Sequence, residues 1–190
     1  MVAILPPPVY VLKIELEHSN PLIFRRVKIS SGVTLDDLHE VIQVAMGWDD
    51  YHLHQFIVNK VFYGNLDQFD GVFESEMQDE SESTLRALAP KKGSKMKYEY
   101  DFGDSWMHLI TVEQVIVNEP DFRGAVCLEG ENACPPEDVG GIWNYFVMVE
   151  ALNDRTHESH EEFREWLGSK FNPSAFYLKK VNTLLKKLQI

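Results

Sequence analysis

The sequence of 190 residues contains only two cysteines, Cys127 and Cys134, and no apolar run near the roughly 18 residues that a membrane-spanning helix needs. Two cysteines by themselves cannot complete a four-ligand zinc site. The first residues also lack the basic and long apolar regions of a signal peptide. We therefore expect a cytoplasmic protein with reduced thiols, although the short spacing leaves a strained or regulatory disulfide open.

Positive charge is also scarce, since 18 lysines and arginines face 30 aspartates and glutamates and leave a formal net charge of -12. Such a surface repels phosphate backbones, which disfavours nucleic acid and leaves an unknown protein or small molecule as the expected partner. Hydrophobic residues nevertheless make up 44% of the chain, which is enough for a globular core. At this length we predict a single compact domain over residues 1–190, with no membrane segment.

Three pairs of segments show the apolar alternation that is typical of half-buried strands, and each pair predicts a hairpin. They cover residues 9–17 with 23–29, 53–58 with 61–63, and 96–102 with 106–117. The short turns inside the first two predicted hairpins contain polar residues, and the first also contains a proline, which favour reversal of the chain.

Helical spacing predicts one helix between the first two hairpins and three helices near the C-terminus. They cover residues 35–46, 142–152, 159–167 and 173–188. The acidic segment 64–82 is predicted as a solvated, mobile loop, and the prolines and glycines of 119–141 predict a structured loop. The fold class is therefore α+β, with a mixed or antiparallel sheet mainly in residues 9–118 and a helical part in residues 142–190.

Three histidines are candidate metal ligands. His52 and His54 are two residues apart on a predicted strand, so both imidazoles would share a face and could bind one divalent metal. Alternatively, both histidines lie near the end of an exposed strand and bind no ligand. His108 shares its strand face with Trp106, which favours a core histidine over a ligand. A divalent metal is the one cofactor that these residues suggest.

Two aspartates, Asp101 and Asp104, flank Gly103 in the predicted turn of the long hairpin. Short carboxylates often accept backbone hydrogen bonds in such turns, whereas a paired acid or metal-ligand role would require a nearby positive charge. Arg25 is the candidate counter-charge, because it lies on an apolar strand face where a guanidinium needs a carboxylate partner or a route to solvent.

The segment from Cys134 to Gly141 precedes a predicted helix and places Glu137 and Asp138 where the helix dipole favours anions. These carboxylates could simply cap the helix. Alternatively, the two carboxylates could line a cleft together with the two cysteines. A cysteine could then act as a nucleophile paired with His108.

Three motifs together resemble the plasmid pRiA4b ORF-3-like protein family. They are the run from Tyr100 to His108, the helix from Thr34 to Gly47 followed by Trp48 and residues 52–56, and the run from Cys134 to Gly141. The resemblance extends from about Val9 to Leu188. It implies an α+β protein from a bacterial or archaeal family without a known activity, some of whose members are carried on mobile elements and labelled resolvase-like.

The sequence leaves three functional hypotheses open. The leading one is a non-enzymatic binding or accessory module with a groove of aromatic and carboxylate side chains. The aromatic residues are Tyr98, Tyr100, Trp106 and Trp143, and the carboxylates are Asp101, Asp104, Glu137 and Asp138. Arg25 and His108 are further candidates for the same cleft. The second is a metal-dependent hydrolase or metal-binding protein. The third, a nucleic-acid accessory protein of mobile elements, would require the lysines to converge against the overall charge.

Overall fold

A computed structural model describes residues 6–68, 77–168 and 171–190. Within these ranges there are eight strands and five α-helices. The strands are β1 (Val9–Leu16), β2 (Phe24–Ser30), β3 (His54–Val58), β4 (Val61–Gly64), β5 (Met77–Asp79), β6 (Lys95–Tyr100), β7 (Trp106–Ile116) and β8 (Ala125–Glu131). The helices are α1 (Leu35–Met46), α2 (Leu85–Leu88), α3 (Gly141–Asn153), α4 (His160–Leu167) and α5 (Leu178–Leu185).

All eight strands form one mixed sheet in the order β5-β4-β3-β6-β7-β1-β2-β8. The three predicted hairpins are present, and every neighbouring pair is antiparallel except β4 with β5. Asn59 and Lys60 both adopt positive φ in the two-residue turn between β3 and β4, as a twisted hairpin requires. The predicted α+β class is confirmed.

Helix α1 packs its apolar stripe against one face of this sheet. Leu35, Leu38 and Ile42 are fully buried there, together with Ile14 of β1 and Tyr98 of β6. The backbone amide of Thr34 donates to the Asp37 carboxylate at the start of the helix, and Gly47 ends it in a left-handed conformation. Two polar residues of this stripe, His39 and Gln43, are also buried, and both contact the hydroxyl of Tyr98.

Of the three C-terminal helices, α3 and α4 lie within one residue of their predicted bounds, whereas α5 is shorter than predicted. Helix α5 begins at Leu178 instead of near Pro173, because the Asn172 side chain accepts the amide of Ser174 and forms a turn. Phe176 leaves this turn to pack on Arg25, 4.2 Å from the guanidinium carbon to the ring centre. None of the described helices is long and apolar enough to cross a membrane.

The predicted loop over 119–141 contains a strand, which corrects that prediction. Strand β8 pairs with β2 at the edge of the sheet. Its glycine, Gly130, looks like a strand breaker in the sequence, but a Cβ there would lie 2.7 Å from the Phe176 ring and 2.9 Å from Arg25 Cδ. Close packing from another part of the chain therefore explains a glycine that the local pattern could not.

The acidic segment 64–82 is also more structured than predicted. Met77–Asp79 forms β5, and a short turn over Glu80–Glu82 follows in which Glu80 is buried. Residues 69–76 of the segment lie outside the described part of the chain. A buried carboxylate in an acidic run requires a specific partner, and Glu80 has one in His54.

The sequence suggested that the Arg25 guanidinium would pair with a carboxylate or reach solvent. Within the described residues it does neither. Its side chain is buried, and its guanidinium donates to the backbone oxygens of Ala45, Phe24, Glu131 and Asn132 at 2.7–3.0 Å. The same group stacks on Phe176. Arg25 thus joins the end of α1, strand β2, the end of β8 and the segment before α5.

Replacement of Arg25 by lysine should therefore destabilise the protein although the charge is kept. A lysine cannot reproduce the planar fork, so several buried carbonyl groups lose their donors. We expect Arg25→Lys to lower the free energy of unfolding by about 2–4 kcal/mol in urea denaturation. The same substitution at exposed Arg155 is the control and should change it by less than about 0.5 kcal/mol. Equal effects of the two substitutions would contradict this role of Arg25.

Candidate functional site

Three loops meet at one end of the sheet. They are the β6–β7 loop at 101–105, the segment 48–53 between α1 and β3, and the segment 135–140 before α3. Asp104 accepts the backbone amide of Gly140 at 2.9 Å, and the Trp48 indole donates to the carbonyl of Pro135 at 3.1 Å. Because each loop comes from one of the three motifs noted in the sequence, the motifs form a single structural unit.

These loops bring together His52, Asp101, Glu137 and Asp138, which we call the surface cluster. The Nε2 atom of His52 lies 3.7 Å from Asp101 Oδ2, 3.8 Å from Glu137 Oε2 and 3.2 Å from Asp138 Oδ1. One ligand atom each from His52, Asp101 and Asp138 lie within 4.8 Å of one another. Asp101 is buried, His52 is partly buried and Asp138 is exposed, so the cluster opens to solvent on one side.

The carboxylate of Glu137 is held from one side. Its Oε1 atom accepts from the Asp49 amide and the Tyr100 hydroxyl, both at 3.0 Å, and the Tyr51 amide donates to that hydroxyl. Burial and then the charge of Glu137 raise the pKa of Tyr100 above its ordinary value, so the phenol stays protonated and donates. The Oε2 atom of Glu137 is buried and makes no hydrogen bond within the described chain.

The two aspartates of the surface cluster adopt unusual backbone conformations. Asp101 and Asp138 both have φ of 57°, which costs a non-glycine residue free energy and is common at functional sites. The Oδ1 atom of Asp101 accepts the amides of Gly103 and Asp104, which leaves Oδ2 directed toward His52. The loop backbone therefore orients Asp101.

Loop packing at the site depends on the absence of a side chain at Gly141. A Cβ there would lie 2.9 Å from the backbone oxygen of Asp104, and the φ of this glycine is +83°. The glycine lets the start of α3 approach the β6–β7 loop, which positions Glu137 and Asp138 next to Asp101.

Gly141→Ala should therefore cost more than the conformational strain alone. Gly93 has nearly the same φ, +84°, and no described atom lies within 4 Å of its Cβ position, so Gly93→Ala measures the strain without the clash. We expect Gly141→Ala to lower the free energy of unfolding by at least about 1 kcal/mol more than Gly93→Ala in urea denaturation. Equal losses would show that the close approach to Asp104 is unimportant.

The predicted site residues separate into two sets. Asp101, Asp104, Glu137 and Asp138 meet at the loops, with His52 beside them. Arg25 does not take part as a counter-charge, because all its hydrogen bonds go to backbone carbonyls. The predicted aromatic groove is also corrected: Tyr98, Tyr100 and Trp106 are core residues, whereas Tyr51 and Trp143 are about three-quarters exposed.

The prediction that His52 and His54 share a strand face and bind one metal is wrong. Strand β3 begins at His54, so His52 lies in the preceding bend and the strand alternation does not apply to it. His54 instead stacks on His39 and hydrogen-bonds to Glu80. His39, Asp50 and Glu80 were not among the residues predicted from the sequence, in which the one available signal was the position of His39 on the apolar stripe of α1.

His108 is a core residue, fully buried between Trp48 and Tyr98. Neither imidazole nitrogen makes a well-aligned hydrogen bond. Burial lowers the pKa of His108 to about 4, and the backbone groups of Tyr98 and Trp106 offset only part of this shift. The imidazole is therefore neutral in the folded protein near neutral pH.

His108 should make the protein less stable in mild acid. Between its ordinary pKa of 6.5 and the folded value of about 4, the unfolded chain binds a proton that the folded chain excludes. The free energy of unfolding should therefore fall as the pH falls through this range, by about 3 kcal/mol in total.

Denaturation at several pH values between 7 and 4 tests this effect. His108→Leu should remove that part of the acid loss, whereas His18→Asn at an exposed position should keep it. An unchanged pH profile in His108→Leu would assign the acid sensitivity to other groups.

The two cysteines are free in the structure. Burial raises the pKa of both Cys127 and Cys134 above the ordinary value, which disfavours the thiolate that a nucleophile requires. Neither belongs to the surface cluster, so the Cys/His nucleophile suggested by the sequence has no support in this geometry.

Comparisons with known proteins identify the relatives of this chain. The model of the plasmid pRiA4b ORF-3-like protein family matches residues 8–180. The uncharacterized protein y4hQ of Sinorhizobium fredii is 40% identical over 164 residues, which cover 86% of this chain and 83% of that protein. A crystal structure of a protein of unknown function from Methanosarcina mazei Go1 aligns with a TM-score of 0.79 at 34% identity, covering 90% of this chain and 96% of the other.

Proposed function

The chain belongs to the plasmid pRiA4b ORF-3-like protein family, and we propose that it is a binding module that holds a divalent metal ion in the surface cluster. The matched relatives have no stated activity in their names, so the proposal rests on the chemistry of the site. It combines the carboxylate-lined binding site expected from the sequence with the metal expected from its histidines.

One observation carries this proposal. His52 Nε2 and Glu137 Oε2 are buried polar atoms without a well-aligned hydrogen bond in the described chain; they lie 3.8 Å apart, and Asp138 Oδ1 lies 3.2 Å from the same His52 nitrogen. A buried polar atom without a hydrogen bond is costly, and a cation between these atoms would compensate the imidazole lone pair and the carboxylates together. The hydrogen bonds to Glu137 Oε1 leave its second oxygen available for such an ion.

The donor set favours a borderline first-row metal. One imidazole suits zinc or iron, while carboxylates also suit manganese, so Mn²⁺ and Zn²⁺ are the appropriate probes. The carboxylates of Asp101 and Asp138, with that of Glu137 beside them, outweigh the charge of one divalent ion, and the chain as a whole carries -12, which raises the local concentration of cations.

The open side of the surface cluster supports a binding role. Asp138 faces solvent, and Tyr51, directly before His52 in the chain, is 76% exposed. A small molecule or protein segment with an oxygen or nitrogen donor could complete the metal coordination there, and Tyr51 offers an aromatic surface for its apolar part. Carboxylate side chains and one aromatic side chain thus both contribute, although Tyr51 is not among the aromatic residues predicted for the groove.

Metal binding by protein purified without a metal-affinity tag tests the proposal. We expect calorimetry to detect about one equivalent of Mn²⁺ or Zn²⁺ at the surface cluster, in addition to any ion bound elsewhere in the protein, with release of heat or protons. His52→Asn and Glu137→Gln should each weaken binding at least about 10-fold, because each removes a ligand atom. The matched controls His18→Asn and Glu40→Gln, at exposed positions, should bind like the wild type. Equal affinity in all five proteins would refute the surface site.

The open coordination side also favours a second candidate function, metal-dependent hydrolysis. Catalytic zinc sites keep one position for water; in this alternative His52, Asp101 and Asp138 would hold the ion, and Glu137 Oε2 would stay free to act as the base for a water bound there. Wild-type protein with Mn²⁺ or Zn²⁺ should then hydrolyse a model ester or phosphoester, and Glu137→Gln should lose this turnover. Metal binding without any turnover would leave the binding module as the function.

A further inference from the structure

A second group of ligand-type side chains lies on the buried side of the same segment that carries His52. We call His39, Asp50, His54 and Glu80 the buried cluster. His39 comes from α1, Asp50 from the segment after it, His54 from the start of β3, and Glu80 from the turn after β5. Four separate parts of the chain therefore converge there.

The two imidazoles of the buried cluster are stacked with their centres 3.5 Å apart and their planes within 5°. His39 Nε2 lies 3.0 Å from Asp50 Oδ1, and His54 Nε2 lies 2.8 Å from Glu80 Oε2. One ligand atom each from His39, Asp50 and His54 lie within 4.8 Å of one another. Donor atoms around a tetrahedral zinc ion with bonds near 2.0 Å lie roughly 3.3 Å apart, so the three side chains would have to move closer together to hold the ion.

Burial makes this cluster different from an ordinary group of surface carboxylates. His39, His54 and Glu80 each expose less than a tenth of their side chains. The ion pairs of Asp50 and Glu80 within the described chain are with these histidines and with no lysine or arginine. A buried carboxylate such as that of Glu80 is stabilised by a nearby positive charge, which here would come from the imidazoles or from an ion, and two protonated rings at 3.5 Å would repel each other strongly.

We propose that the buried cluster is a second, structural site for a divalent transition metal of the zinc type, with His39, Asp50 and His54 as ligands. Neutral imidazoles then serve as ligands, and a single ion supplies the positive charge that the two carboxylates lack. Glu80 orients His54, since ligating imidazoles typically donate their other N–H to a carboxylate.

The surroundings support ligand roles for both rings. The Tyr98 hydroxyl lies 2.8 Å from His39 Nδ1, so the second nitrogen of this ring also has a fixed partner. Metal coordination requires the parallel rings to tilt until their lone pairs converge on the ion.

This site is independent of the surface cluster. Asp50 and His54 face the buried cluster, whereas His52 between them belongs to the surface cluster. No ligand is shared, so substitutions can remove either site alone. A structural ion would tie α1 and β3 to the segment 49–54, in the way that closed metal sites stabilise folds.

The test uses full-length protein with the surface cluster disabled by His52→Asn and Glu137→Gln, purified without a metal-affinity tag. We expect this double variant still to bind about one equivalent of Zn²⁺ by elemental analysis and to melt at a higher temperature with Zn²⁺ than with a chelator. Adding Asp50→Asn should weaken zinc binding at least about 10-fold, while adding Asp121→Asn at an exposed position should not.

Asp50→Asn is the decisive substitution because the Asp50 side chain is 55% exposed and asparagine tolerates its positive φ of 58°. A circular dichroism spectrum like that of the parent verifies the fold, and X-ray absorption should detect imidazole nitrogens near 2.0–2.1 Å from zinc. Absence of zinc from the double variant, or zinc binding that Asp50→Asn leaves unchanged, would overturn this proposal. Neither result would affect the surface site, which the wild type and the His52 variant test.

Discussion

The buried guanidinium of Arg25 is the constraint on which the arrangement of this protein depends. It donates hydrogen bonds to four backbone carbonyls that belong to α1, β2 and the end of β8. The ring of Phe176, from the C-terminal part, packs over it. A charge removed from water must satisfy its donors inside the protein, so these four parts of the chain have little freedom to move apart. The chain continues from Asn132 directly into the segment that carries Glu137, and Arg25 therefore also limits where one side of the surface cluster can lie.

The surface cluster is formed by backbone geometry as much as by side chains. Asp101 is oriented by two amides of its own loop, and Glu137 by the Asp49 amide and the Tyr100 hydroxyl. In each carboxylate one oxygen is engaged in this way and the other faces His52. The chain from the end of α1 to the start of β3 supplies candidate ligands to both clusters, with His52 in the surface cluster and Asp50 and His54 in the buried cluster. A metal ion in either cluster would neutralise carboxylates whose ion pairs in the described chain are with histidines only.

The parts of the fold with local signals could be predicted from the sequence. The three hairpins and α1 follow from alternation, turn residues and helical spacing, because each buries a face whose period is visible in the chain. Strand β8 and the late start of α5 could not be predicted, since Gly130 and Phe176 are explained by packing against Arg25 from a distant part of the sequence. For the site, Asp101, Asp104, Glu137 and Asp138 were identified from their motifs, whereas the pairing of His52 with His54 relied on a strand that begins two residues later.

The sequence by itself determined the α+β class, the family, and the motifs that contain most of the surface cluster, because these depend on residue type and local spacing. Only the tertiary structure decided which charged groups meet. Arg25 bonds carbonyls instead of Asp101 or Asp104, His54 joins His39 instead of His52, and the aromatic residues of β6 belong to the core. The physical reason is that a buried charge or imidazole takes the partner that close packing brings within hydrogen-bonding distance, and that partner is remote in sequence.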